Sequence, residues 1–292
     1  MKKLIVLIFI VPNSISAMEK AHIWQKIREE TKEEKKGPTV KILEEQKELL
    51  GQYLNISIAN VNVTGSIPPK QIKEIAGLIN AGADLNSDYS GYPTIDYALD
   101  LQMLYPQLIQ LLLNKGANVN YRNKKGQNPL NYYLDRATMD NLVGVPYIKF
   151  KAPRPDISVV RTLIEHGADV NDRDFQGQTA FMHAALAGEP EIVRLLVDGI
   201  ALPASLKKLH EEKTTYLSKL PKELLEMTAQ YITSKANPNI QDNDGRNALN
   251  FAIRALEMIV AYPRMYKNFD QLIKRYEEVI NILEPVTTKV KS

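Results

Sequence analysis

The amino-acid sequence predicts an all-α protein built as an array of repeated helix pairs, and three observations predict it. A five-residue segment recurs as Gly82-Ala83-Asp84-Leu85-Asn86, Gly116-Ala117-Asn118-Val119-Asn120 and Gly167-Ala168-Asp169-Val170-Asn171, with Lys235-Ala236-Asn237-Pro238-Asn239 as a worn fourth copy. Each copy follows a stretch with helical apolar spacing. Each is followed, after a short polar stretch, by a second glycine that opens another helix. The chain has 292 residues, 44% of them hydrophobic and 24% charged, so it is long and apolar enough to bury a core.

The copies start 34, 51 and 68 residues apart. A unit of about 34 fits these intervals if one interval carries an insertion of 17 residues and the last spans a copy whose signature has decayed. The helices before the copies are read from Ile72, Ile75, Leu78 and Ile79; from Leu108, Leu111 and Leu112; from Val159, Val160, Leu163 and Ile164; and from Leu224, Leu225, Met227, Thr228 and Ile232. Spacings of three and four residues put each set on one helix face. The glycine after each helix closes it in the left-handed conformation, which costs a residue with a Cβ about 1 kcal/mol or more. Lys235 stands in that slot in the fourth copy, so that cap is expected to be strained or differently shaped.

The second helices open at Gly91-Tyr92-Pro93-Thr94-Ile95-Asp96-Tyr97-Ala98-Leu99, Gly126-Gln127-Asn128-Pro129-Leu130-Asn131-Tyr132-Tyr133-Leu134, Gly177-Gln178-Thr179-Ala180-Phe181-Met182-His183-Ala184-Ala185 and Gly245-Arg246-Asn247-Ala248-Leu249-Asn250-Phe251-Ala252-Ile253. With both motifs in hand, the chain resembles ankyrin repeats over roughly residues 70–284. That resemblance implies a solenoid of antiparallel helix pairs with finger-like turns, about five to six units including degenerate and capping ones. The family's Thr slot holds Pro93, Asn128, Thr179 and Asn247, and its His slot holds Asp96, Asn131, Met182 and Asn250. Asp and Asn keep hydrogen-bonding capacity, so cross-repeat bonding is expected to survive in three copies and to be lost at Met182.

The 17 extra residues near 140–156 hold Gly144, Pro146, Pro153 and Pro155, which keep the chain out of helix, and mix Tyr147, Lys149, Phe150, Lys151 and Arg154. They read as a loop at the turn between paired helices, folded back over its neighbours or offering a second contact surface. Residues 200–239 leave room for one degenerate repeat, with helices at 204–217 and 221–233. Leu272, Ile273, Tyr276, Val279, Ile280 and Leu283 form a last apolar stripe opposite Lys274, Arg275, Glu277 and Glu278, as a terminal cap requires. At the other end, residues 18–37 read as a charged arm and 38–86 as an N-terminal cap with a first partial repeat. The array proper is expected over 87–284 and a tail over 285–292. Residues 1–17 carry Lys2 and Lys3, an apolar run and a short polar stretch ending at Ala17, the order of a secretory signal peptide. The apolar run is too short to span a bilayer. The expectation is export, to the periplasm or outside the cell, with no stable membrane insertion after cleavage.

A net charge of +3 without a long basic block disfavours a nucleic-acid partner. The absence of cysteine excludes disulfides, thiolate metal sites and cysteine nucleophiles. The four histidines, among them His166 and His183, lack metal spacing, and Asp172 to Gly177 lacks the distal Glu of a calcium loop. Asn55-Ile56-Ser57 and Asn62-Val63-Thr64 match glycosylation acceptors. No cofactor and no catalytic activity are expected. The resemblance implies a monomeric module that binds a partner protein on a concave face of fingers and first helices. Exposed finger positions are then Tyr89, Tyr92, Tyr121, Lys124, Lys125, Gln127, Arg173, Phe175, Gln178, Asn243 and Arg246, a set rich in the Tyr, Phe and Arg that favour interfaces. The rival reading is a hydrolase-like enzyme whose site is built by the 140–156 segment and the charged stretch after Pro203.

Overall fold

The computed structural model describes residues 39–59, 69–101, 107–142, 154–199, 235–266 and 268–287. Expectations for the signal peptide, the N-terminal arm, most of the 140–156 loop and residues 200–234 lie outside the described residues. The chain divides into two compact units, residues 1–118 and 119–292. Among the described residues there are five helix pairs.

In the first unit, α1 (Thr39–Ala59) pairs with α2 (Pro69–Asn80), and α3 (Thr94–Asp100) with α4 (Gln107–Asn114). Between the pairs, β1 (Asp88–Tyr89) and β2 (Tyr92–Pro93) form a two-stranded hairpin, with Asp88 opposite Pro93 and Tyr89 opposite Tyr92. Both turn residues have positive φ, 57° at Ser90 and 83° at Gly91, the geometry a two-residue hairpin needs. The apolar spacing read from the sequence becomes the core: Leu54, Ile58, Ile75, Leu78, Ile95, Leu99, Leu108 and Leu112 are all buried. Gly51 sits where the finger touches α1. A Cβ there would run into the Asp84 carbonyl oxygen and Ser87 Oγ, and beside it Asn55 Nδ2 donates to the Ser87 carbonyl at 3.0 Å. Asn55 is fully buried, so the first glycosylation triplet is a packing residue and not an acceptor.

In the second unit, α5 (Pro129–Leu142), α7 (Ala180–Ala187) and α9 (Ala248–Ala261) form one row. Their partners α6 (Ile157–Glu165), α8 (Pro190–Asp198) and α10 (Phe269–Leu283) form the other, with a 3₁₀ turn at Pro263–Met265 before α10. Helix α7 has a neighbour in the row on each side and is buried almost all round. Ala180, Ala184, Ala185 and Ala187 are at most 1% exposed, and small side chains let the neighbouring helices close in. Three of the four Thr-slot residues explain themselves as side-chain N-caps, Pro93 being the exception. Asn128 Oδ1 accepts from Asn131 N at 2.9 Å, Thr179 Oγ1 from Met182 N at 3.4 Å, and Asn247 forms a reciprocal capping box with Asn250.

The capping glycines behave as expected, with φ of 88° at Gly82, 93° at Gly116 and 88° at Gly167. After each, an alanine amide returns to the helix: Ala83 to Leu78 O, Ala117 to Leu112 O and Ala168 to Leu163 O. The fourth copy corrects the sequence reading. Ala236 N donates to Leu196 O at 2.8 Å, so the helix that closes this copy is α8, with Gly199 (φ 77°) as its terminal glycine. The finger at 235–245 lies directly on the finger at 167–177, because Asn171 Nδ2 donates to Lys235 O and Asn243 N to Gln176 O. Among the described residues the two fingers are neighbours in the stack, and Lys235 does not occupy the left-handed cap at all.

Candidate protein-interaction face

The fingers are three copies of one polar construction. Asn123, Asp174 and Asp242 each turn a side-chain oxygen onto two backbone amides, two and four residues on: Lys125 and Gln127, Gln176 and Gln178, Asp244 and Arg246. The same residues close the turn through their backbones, Asn123 N to Gln127 O, Asp174 N to Gln178 O and Asp242 N to Arg246 O, at 2.8 to 3.0 Å. A short side chain that hydrogen-bonds its own turn is what Asn and Asp do best. Asp174 is consumed in this way, which accounts for the acidic run read at residues 172–177.

The final Asn of each signature ties one finger to the next. Asn86 Oδ1 accepts from Asn118 N at 2.7 Å, Asn120 Oδ1 from Asp169 N at 2.8 Å, and Asn171 Oδ1 from Asn237 N at 2.7 Å. Asn120 Nδ2 also donates to Gly167 O at 2.8 Å. Asn120 and Asn171 each read both an N–H and a C=O of the neighbouring finger, which suits an amide side chain at that slot. In the His slot, Asn131 Nδ2 donates to Asp172 O at 3.0 Å, the expected cross-repeat bond. Asn250 instead completes its own helix cap.

These bonds sort the eleven finger positions. Phe175 is 66% exposed, its ring lying over Gly126 of the neighbouring finger, while its amide and carbonyl are held by Lys125 O and Asn243 Nδ2, so a largely exposed ring stands on a fixed backbone. Lys124 is exposed and Tyr121 half-buried beside it in sequence. Lys125 is exposed but its ammonium reaches Asp135 at 3.2 Å. The expected exposure is corrected at Gln127, and three further side chains are engaged within the fingers. Gln127 is 2% exposed because its amide donates inward to Asp135 at 2.9 Å. Arg173 clamps two fingers, donating to Gly177 O and Gln241 O. Asn243 spends its side-chain amide on Phe175 O at 2.9 Å. Arg246 is half-buried, paired with Asp242 at 2.7 Å and Asp244 at 2.5 Å, and lies 5.1 Å from the Phe251 ring centre. Gln178 is half-buried in the turn closure. In the first unit Tyr92 is half-buried, edge-on to Tyr97 at 6.4 Å, and Tyr89 is held by backbone pairing with Tyr92.

A cluster under the fingers went unseen in the sequence. His183 is buried between Asp135 (Nδ1 to Oδ1 3.7 Å) and Asp174 (Nε2 to Oδ2 3.6 Å). Burial pushes the Asp135 carboxyl up, but His183, Gln127 and Lys125 outweigh it and hold the group below the usual carboxylate range. The cluster joins α5, α7 and a finger base, a scaffold role. His166, by contrast, caps α6 with Nδ1 2.8 Å from Thr162 O. Among the described residues no group of three or more His, Asp or Glu could hold a metal ion, and no helix is long and apolar enough to cross a membrane. Within the 140–156 segment, Arg154 folds onto Glu189 at 2.6 Å. Residues 143–153 and 200–234, on which the enzyme reading mainly drew, lie outside the described ones.

Residues 148–197 match the family model of ankyrin repeats. A protein of Acanthamoeba polyphaga mimivirus named as an ankyrin repeat protein, L371, is 26% identical over 57% of this chain and 19% of its own length. A protein of Rickettsia felis named as an ankyrin repeat protein is 30% identical over 33% of the chain and 37% of its own length. The E3 ubiquitin-protein ligase KEG of Arabidopsis thaliana is 31% identical over 35% of the chain and 6% of its own length. The chain thus spans less than two fifths of each of these relatives. The matched segment, the four signatures and the laddered fingers agree that the chain carries ankyrin repeats.

Proposed function

We propose that this chain is an exported module that captures a partner protein on the finger and helix face of its repeats. The observation that carries the reading is Phe175, an aromatic side chain 66% exposed on a backbone fixed from both sides. Burying such a ring against a partner releases water from apolar surface, and its fixed backbone lowers the ordering cost of binding. Tyr121 and Lys124 extend the patch, and the lysine favours an acidic rim on the partner. Arg173, Asn243 and Arg246 serve the same face indirectly by keeping the fingers in register.

The export half rests on the order of residues 1–17 alone. The test of binding is capture of a partner by the full chain, repeated with Phe175→Ala and with Lys124→Glu. Capture should fall at least about tenfold for Phe175→Ala with an unchanged melting temperature. Undiminished capture by both variants would remove the finger face from the account.

A further inference from the structure

The slots that face the next repeat are buried wherever a next repeat exists. Leu134 and Ala185, at the last position of the second motif, are both 0% exposed, and the His-slot residues Asn131 and Met182 are 0% and 1% exposed. In the last pair the same slots open. Ile253 is 37% exposed and Asn250 is exposed. Exposed apolar residues follow at Met258 and Val260 on α9 and at Tyr262 and Met265 in the turn after it, at 43%, 54%, 59% and 66% exposure. A terminal unit normally turns a polar side outward, and α10 does so with Lys274, Glu277 and Glu278, but α9 does not. Single exposed apolar residues need no explanation, whereas several on and beside a helix whose slot is buried in earlier repeats do.

We propose that the open face of α9 is a self-association site, on which a second copy of this chain packs its own α9 antiparallel about a two-fold axis. Asn250, Arg254, Glu257 and Ala261, all exposed, follow one helix stripe at spacings of four, three and four, with Ile253 and Met258 on its two flanks. Arg254 and Glu257 are exposed, opposite in sign, and make no ion pair among the described residues. In an antiparallel two-fold pairing centred between residues 255 and 256, Arg254 of each copy falls opposite Glu257 of the other. Ile253 then falls opposite Met258. The contact is isologous, so each favourable pair occurs twice. A partner unrelated to this chain would gain nothing from that internal complementarity, and a head-to-tail neighbour would use the finger ladder instead. The inference uses residues apart from the finger patch, so it stands or falls separately from partner capture there. It also replaces the monomer expected from the sequence.

Sedimentation equilibrium of the full chain over about 1 to 200 µM reads the result. A reversible dimer is expected, and Ile253→Lys should raise its Kd at least about tenfold with an unchanged circular-dichroism melt. Arg254→Glu and Glu257→Arg should each weaken it by about tenfold, and the double reversal should restore it to within about threefold of the starting chain. A strictly monomeric chain across the range would overturn the proposal, leaving the face for a different occupant. So would a dimer indifferent to Ile253→Lys, or a double reversal that fails to recover.

Discussion

Glu189 holds three parts of the second unit together, and removing its charge should cost more than any finger substitution. Its carboxylate is 5% exposed. Oε1 accepts from Arg275 Nη2 at 2.6 Å and from Arg154 Nε at 3.1 Å, while Oε2 accepts from Arg154 Nη2 at 2.6 Å. It thereby joins α10, the lead into α6 and the turn between α7 and α8. The two arginines differ in what they contribute. The Arg154 side chain is 58% exposed, so water screens its pair to below about 1 kcal/mol. The Arg275 side chain is 15% exposed, and loss of its partner leaves a largely buried cation. Breaking a fully buried pair costs about 3 to 5 kcal/mol, and the residual exposure here lowers that to about 2 to 3 for Glu189→Gln. Urea unfolding should show the midpoint falling with an unchanged slope. In double-mutant cycles the coupling of Glu189 to Arg275 should exceed its coupling to Arg154 by about 1 kcal/mol or more. A loss under about 0.5 kcal/mol, or the reverse order of couplings, would refute the burial argument.

Two further outcomes follow from the contacts described. Gly51→Ala sets helix propensity, a gain of about 1 kcal/mol, against a Cβ forced onto the Asp84 backbone carbonyl. Overpacking against backbone should win, with a net loss of about 1 to 2 kcal/mol in a thermal melt, and a rise in melting temperature would show the approach to be looser than described. Asp135 is a carboxylate whose pKa is lowered in the folded state, so its contribution is present above the unfolded value of about 4 and is lost as pH falls through the lower folded value. The stability gap between the natural chain and Asp135→Asn, measured by urea midpoints, should be full at neutral pH and close below about pH 3. A gap that persists unchanged in acid would assign the role of Asp135 to shape and not to charge.

The helix pairs were legible because their signals are local. A glycine at positive φ, an Asn or Asp folding onto its own turn and apolar residues three and four apart act within a few residues of one another, and the sequence displays them directly. Interval length is a different kind of signal. The 68 residues between the third and fourth signatures fitted a decayed repeat, yet Leu196 and Ala236 are hydrogen-bonded and the flanking fingers touch. Spacing counts residues without saying whether they stand in the stack or leave it. His183 was illegible for a related reason. Its two carboxylate neighbours come from α5 and from a finger base, and only the stacking brings them to it.

Residue type misled in the same direction on the fingers. Arg and Tyr are enriched at interfaces, and that enrichment selected Arg173 and Arg246 together with Phe175. In a turn rich in exposed carbonyls and Asx side chains, a guanidinium with five donors is equally suited to tie the turn together. Arg173 spends its donors on Gly177 O and Gln241 O, and Arg246 on Asp242 and Asp244. A phenyl ring has no donors to spend inside a polar finger, so Phe175 lies over Gly126 with most of its surface facing water while its backbone is pinned. In a laddered repeat the polar side chains are therefore drawn into the frame, and the apolar ones left outside it are the better guide to what the surface is for. The same reasoning applies to α9, where Ile253 stands exposed at a slot that Leu134 and Ala185 bury.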